Sequence, residues 1–235
     1  MPDARYALFF APPQGSELET LCAKILGRCA HTGQSLPQPR LAHVPCARLA
    51  ELTASPRHYG LHGTLKPPFA LAPGRSENEL IDAVLQLAAR TSPFTLPGLE
   101  LNSIGSFLAL TLTAPCQTLD DLAGICVIAM DTFRRPATPQ ELARRRAKGL
   151  NVNQDRLLQL YGYPYVLEEF RFHLTLTGSI HEPEELERVR AGLSSLLAPI
   201  LHKPVPVQDI CLFRQSAAEE PFIILGRYPL LATPK

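Results

Sequence analysis

Leu61-His62-Gly63-Thr64-Leu65-Lys66 and Phe172-His173-Leu174-Thr175-Leu176-Thr177 repeat one short pattern, a histidine and a threonine two residues apart inside an apolar, strand-prone run. In an extended strand successive side chains point to opposite faces, so His62, Thr64 and Lys66 are expected on one face and Leu61 and Leu65 on the other. In the second copy Arg171, His173, Thr175 and Thr177 fall on one side, while Phe172, Leu174 and Leu176 turn towards a core. Two such strands side by side would present two imidazoles and two hydroxyls to one cavity. Those groups suit acid–base chemistry on a phosphate.

The surrounding chain gives both copies a similar setting. Arg5 to Ala11 reads as a strand stopped by Pro12-Pro13, and Ser16 with Glu19 forms a capping box for a helix over Ser16 to Cys29. His31 to Pro56, dotted with prolines, reads as loop with a short helix. The first His–Thr strand is expected over Tyr59 to Lys66, closed by Pro67-Pro68, and is followed by a helix from Ser76 to Ala89. Strands Phe94 to Ile104 and Phe107 to Ala114 join at Gly105-Ser106, a tight hairpin. From Phe107 the order restarts: strand, helix Thr118 to Phe133, His–Thr strand Phe170 to Thr177, helix Glu182 to Leu201, then strands Val205 to Arg214 and Pro221 to Tyr228. Repetition of this kind predicts a single bilobal α+β domain over 1–235, built from repeats at about 5–106 and 107–230. Its two similar lobes would carry antiparallel sheets facing a central cleft, with the His–Thr strands opposed across it.

The stretch from Arg134 to Tyr165 has no counterpart in the first half and reads as an insertion able to cover that cleft. A helix from Pro139 to Lys148 is opened by Thr138 and stopped by Gly149, and an aromatic turn follows at Tyr161-Gly162-Tyr163-Pro164-Tyr165. Arg144 to Arg146 read as a solvated helical face, with contact to a substrate phosphate as the alternative.

Composition removes several function classes. With 46% hydrophobic content over 235 residues the chain can bury a sizeable core, and 23 Lys and Arg against 22 Asp and Glu leave no overall field for nucleic acid. An anion must therefore be held locally. No apolar run reaches the roughly 20 residues of a membrane span, and Met1-Pro2-Asp3-Ala4-Arg5 lacks the apolar stretch of a signal peptide, so a cytoplasmic protein without membrane contact is expected. Six cysteines without a C-x-x-C pair are expected to be free, buried thiols. Serine-hydrolase, P-loop and dinucleotide motifs are missing from the sequence. His58 and His62 would share a strand face, but no Asp, Glu or Cys lies beside them. The expectation is a site without metal or cofactor, its positive charge supplied by Lys66 or Arg171.

The paired H-x-T elements, with the strings YGLHGTLKPPFAL, RYALFFAP and FRFHLTLTG, resemble the 2H phosphoesterase superfamily, and more narrowly its branch named for phosphonate metabolism. The resemblance extends over most of the chain. It implies His62 and His173 as the catalytic pair and Thr64 and Thr175 as phosphate-binding hydroxyls. Tyr59 and Lys66 match the branch's string, and these two with Arg171 are the expected further contacts to substrate, with packing as the alternative for Tyr59 and a solvated strand end as the alternative for Lys66. The implied activity is hydrolysis of a small cyclic phosphate ester by two-histidine catalysis. A ribosyl cyclic phosphate from phosphonate breakdown is one candidate, and a 2',3'-cyclic nucleotide or RNA end is another. The competing class is a module that holds a phosphorylated ligand without turning it over. The expected partner is a small phosphorylated molecule, with nucleic acid only as an RNA end or nucleotide, and the oligomeric state is open.

Overall fold

Strand β1 (Arg5–Phe10) is the run RYALFF, apolar at nearly every position, and both of its faces are covered: Tyr6, Leu8 and Phe10 enter one core and Ala7 and Phe9 another. A strand buried on both sides belongs at the middle of a sheet. In the computed structural model, which describes residues 4–147 and 149–233, β1 lies between β2 (Gly63–Ala70) and β8 (Asp209–Gln215), antiparallel to each. The full sheet has seven strands in the order β4 (Leu99–Ile104), β5 (Phe107–Leu112), β6 (His173–Thr175), β2, β1, β8 and β9 (Ile223–Pro229). Met1 to Asp3, Lys148, Pro234 and Lys235 lie outside the described residues, so part of the N-terminal stretch read as lacking a signal peptide's apolar run, and the last residue of the expected insertion helix, fall there.

Helices cover one face of this sheet. Helices α1 (Glu17–Leu26), α4 (Glu77–Ala89), α5 (Gln117–Ala129) and α8 (Pro183–Leu197) bury Ile25, Val84, Leu122 and Leu193 against the strands in one continuous core. The opposite face carries a smaller cluster, Ala7, Phe9, Ala11, Cys211, Phe213 and Phe222 among it. The α+β class with antiparallel pairing is as expected. The two His–Thr segments, however, are neighbours within one sheet. Under the expected repeat β1 corresponds to β5, β2 to β6 and β4 to β8, and the order β4-β5-β6-β2-β1-β8 reads alike from both ends about the β6–β2 junction.

Several local expectations need correction. Helix α1 stops at Leu26 because Gly27 takes the left-handed conformation (φ 77), three residues before Cys29. The stretch after His31 holds two helices, α2 (Cys46–Leu52) and α3 (Ala54–Tyr59), so Tyr59 ends a helix and is not part of a strand. Pro67-Pro68 do not close β2. The strand runs on to Ala70, because β6 pairs with it only at Gly63↔Leu174, and the β1 register slips between Tyr6 and Leu8 where the prolines lie. The expected strand from Phe94 to Ile104 breaks at Pro97-Gly98, and its first part, β3 (Phe94–Leu96), pairs with β7 (Val205–Val207) in a separate two-stranded sheet. All six cysteines are free, but only Cys22, Cys126 and Cys211 are buried, and Cys46 is exposed at the start of α2. The insertion contains α6 (Pro139–Arg146) and a second helix, α7 (Val152–Tyr161). No helix among the described residues is long and apolar enough to cross a membrane.

Candidate active site

The site is built on the single pairing Gly63↔Leu174 between antiparallel β2 and β6. Antiparallel register then sets His62 opposite Thr175 and Thr64 opposite His173. Burial follows the same alternation: His62, Thr64, His173 and Thr175 are half-buried, while Leu61, Gly63, Phe172 and Leu174 are buried. Directly opposed residues stand roughly 5 Å apart and diagonal ones roughly 7–8 Å. Each imidazole thus has the other motif's hydroxyl beside it. The two imidazoles form the diagonal pair, a span that one phosphate could bridge.

Gly63 makes this approach possible. A Cβ built on it would lie 2.3 Å from Cε2 of Phe172, so the ring of the second motif occupies the space a side chain would need. Phe172 in turn packs edge-on against Phe10, with ring centroids 5.7 Å apart.

Both histidines are held in the same way. His62 Nδ1 is 2.8 Å from the Gly60 carbonyl oxygen, and His173 Nδ1 is 2.8 Å from that of Arg171. A carbonyl can only accept, so each Nδ1 carries the hydrogen and each neutral ring keeps Nε2 as its free lone pair. His62 also lies among rings: Phe9 at 4.1 Å, Tyr59 at 5.4 Å and Phe213 at 6.5 Å between centroids. Loss of solvent there lowers its pKa from the ordinary 6.5 to about 4, against the Gly60 hydrogen bond and with help from the charges of His173 and Arg28.

Lys66 does not join them, contrary to expectation. Leu8 pairs with Lys66 and Phe9 with Thr64, which leaves Leu65 as an extra residue on β2. Such a bulge re-aims the side chains that follow it. Lys66 turns to the helix-covered face, where its buried ammonium donates to the Val127 carbonyl (2.9 Å) and to Asp131 Oδ1 (3.2 Å). Burial lowers its pKa to about 8, opposed by Asp131.

The remaining expected contacts divide. Tyr59 stacks on Phe222 at 5.1 Å and walls the site beside His62. Arg171 has an exposed side chain without an ion pair among the described residues, and its backbone carbonyl orients His173. His58 Nε2 accepts from the Gln215 amide at 2.8 Å. No cluster of three or more His, Cys, Asp or Glu among the described residues could hold a metal ion. Thr177, on the expected polar face, is buried and accepts from the Leu108 backbone N–H.

The sequence reading missed Arg28 altogether. Its guanidinium is buried and donates to the carbonyls of Arg57 (2.7 Å), His58 (3.2 Å) and Phe222 (2.8 Å). It clamps the end of α3 from which the Gly60 carbonyl reaches His62. All three acceptors are backbone, so no side-chain motif marks the contact.

Residues 64–223, a stretch that holds three of the four His–Thr positions, match the family described as "Protein of unknown function (DUF1045)". The chain belongs to that family. Two curated relatives of this DUF1045 chain, each named "Ribose 1,5-bisphosphate phosphokinase PhnN", come from Janthinobacterium sp. (strain Marseille), 33% identical over 228 residues, and Laribacter hongkongensis (strain HLHK9), 32% identical over 221 residues. The alignments take in 96% and 93% of this chain but 50% of each relative, so the chain spans about half their length. Among solved structures, E. coli LigT complexed with 3'-AMP is 16% identical, with 99% of this chain and 100% of that chain covered at a TM-score of 0.46. At that distance the likeness carries nothing about chemistry.

Proposed function

We propose that this DUF1045 chain is a 2H phosphoesterase that hydrolyses a small cyclic phosphodiester by two-histidine acid–base catalysis. The supporting observation is the Gly63↔Leu174 pairing, which sets two histidines and two threonines on one sheet face in a crossed arrangement. Opening a cyclic diester forms one P–O bond from water and breaks one in the ring, with entering and leaving oxygens on opposite sides of phosphorus. His62 is neutral near pH 7 because of its lowered pKa, and its Nε2 takes the proton of the attacking water. His173, on the opposite side of the phosphorus, is the general acid that gives a proton from Nε2 to the departing alkoxide. The hydroxyls of Thr64 and Thr175 donate to the non-bridging oxygens as negative charge builds on them. Each proton transfer is worth about 10² to 10⁴ in rate. The naming of the two relatives for ribose 1,5-bisphosphate supports a ribose phosphate as the substrate's scaffold, with a role in phosphonate breakdown as the narrower reading.

The test is turnover of a panel of ribosyl and nucleoside cyclic phosphates by the purified chain. His62→Ala and His173→Ala should each abolish hydrolysis while circular dichroism stays unchanged, and Thr64→Ala or Thr175→Ala should lower it less. Activity retained in either histidine variant removes that residue from the mechanism. Tight binding without turnover across the panel makes the chain a binding module instead.

A further inference from the structure

The two sides of the histidine pair differ in chemistry. Beyond His62 the sheet face is aromatic, with Phe9 at 4.1 Å and Phe213 at 6.5 Å between ring centroids. Beyond His173 it is polar. Strand β5 pairs with β6 through Ala109↔Thr175, Leu110↔Leu174 and Thr111↔His173, and β4 pairs with β5 through Glu100↔Thr111 and Asn102↔Ala109. Paired residues share a face of the sheet, so Glu100, Asn102 and Thr111 lie on the face of the two histidines, while Leu110 and Leu174 enter the helix-covered core. The ring of Phe107, on the same face of β5, stands 6.0 Å from that of His173, as this register requires. Thr111 is thus the direct neighbour of His173 on the side away from Thr64, roughly 5 Å across the pair.

These three half-buried side chains are tied to one another. The Asn102 amide donates to Thr111 Oγ1 (2.8 Å) and to Glu100 Oε1 (3.0 Å), and among the described residues the three make no other side-chain hydrogen bond and no ion pair. With its oxygen accepting from Asn102, Thr111 keeps its hydroxyl hydrogen to donate, and Asn102 Oδ1 and the Glu100 carboxylate are left to accept. No cation stands in this strip, and its carboxylate repels a phosphate. An alcohol group, which both accepts and donates, fits all three.

We propose that Thr111, held by Asn102 and Glu100, is a specificity-determining residue that binds a free hydroxyl of the substrate on the His173 side of the phosphate. The substrate class is then the cyclic phosphate of a polyol or sugar with an unesterified hydroxyl close to the phosphate ring. This inference rests on the phosphoesterase reading above and adds which part of the substrate the polar strip recognises, and on which side of the phosphate that part lies.

Glycerol 1,2-cyclic phosphate and propane-1,2-diol cyclic phosphate differ by one such hydroxyl and test the assignment. Wild type should favour the glycerol ester by about fivefold or more in kcat/KM, the size of one hydrogen bond. Thr111→Val, which keeps the shape and removes the hydroxyl, should bring that ratio close to one. Thr111→Ser should keep most of it, and Ser103→Ala, on the other face of β4, should leave it as in wild type. A ratio near one in wild type overturns the inference, and so does a Thr111→Val variant that slows both esters alike with the ratio intact. Turnover of neither ester counts against the phosphoesterase reading, and recognition is then read by calorimetry as the affinity for glycerol 2-phosphate against isopropyl phosphate, which lacks its hydroxyls. A preference that Thr111→Val removes sustains the inference there, whereas equal affinities, or a preference that survives the substitution, overturn it.

Discussion

Replacing Gly63 by alanine should damage both stability and turnover, through one identified contact. The added Cβ would sit 2.3, 2.9 and 3.1 Å from three ring carbons of Phe172, whereas carbon atoms in contact prefer about 3.5–4.0 Å. More than about 1 Å must be found. The Gly63 backbone is bound into the β2–β6 pairing, and Phe172 packs on Phe10, so neither partner is a loose side-chain end. Overpacking of this kind costs typically 1–3 kcal/mol. The same displacement separates His62 from His173, and a 1 Å misplacement of catalytic groups can cost about 10²-fold in rate. Urea denaturation and kcat on a cyclic phosphodiester measure the two effects. Gly63→Ala combined with Phe172→Leu should recover much of both losses, because the smaller side chain clears the added methyl. Wild-type stability and turnover in the Gly63→Ala single variant would refute this account of how the two motifs meet.

Two further outcomes follow from the charges around the site. The His62 pKa falls from 6.5 in the unfolded chain to about 4 in the folded one, so between those values the unfolded chain binds a proton that the folded chain does not. Its contribution is full above about pH 6.5 and is lost as pH falls towards 4, by at most about 3 kcal/mol and by less after solvent screening. Urea melts at about pH 7.5 and 4.5 should show that loss in wild type and a smaller one in His62→Gln; an equal loss in both would contradict the assignment. Lys66→Met should leave KM and kcat close to wild type and lower stability by about 1–2 kcal/mol, since Val127 loses its donor while Asp131 keeps Arg134 at 2.8 Å. A raised KM at unchanged stability would return Lys66 to the substrate.

The alternation around His62 and His173 was legible because period two is the mark of a half-buried strand, and the folded faces follow it at Leu61, Gly63 and Phe172. Lys66 was misread for the same reason. The alternation of Leu65 and Lys66 continues the pattern in sequence, and the bulge that breaks it exists only relative to Leu8 and Phe9 on β1. Pro67-Pro68 looked like a strand end because the open edge of β2 beyond Gly63 is a property of its neighbours. Two misses had a local signal: the Pro97-Gly98 break, and the Asn151 and Gln154 capping box that opens α7. Arg28 had none. Arg145 differs from Arg144 and Arg146 only through Tyr163 and Asp155, partners that the folded insertion brings to them.

The central claim is that His62 and His173 address one phosphate together. Titration of the isotopically labelled chain with adenosine 2'-phosphate, followed through the imidazole 15N resonances, tests this without a known substrate. The account predicts that Nε2 of both rings shifts along one binding curve with a single Kd, while both Nδ1 atoms remain protonated and bound to the carbonyls of Gly60 and Arg171. Shifts confined to one histidine, or two curves with different Kd values, would contradict it.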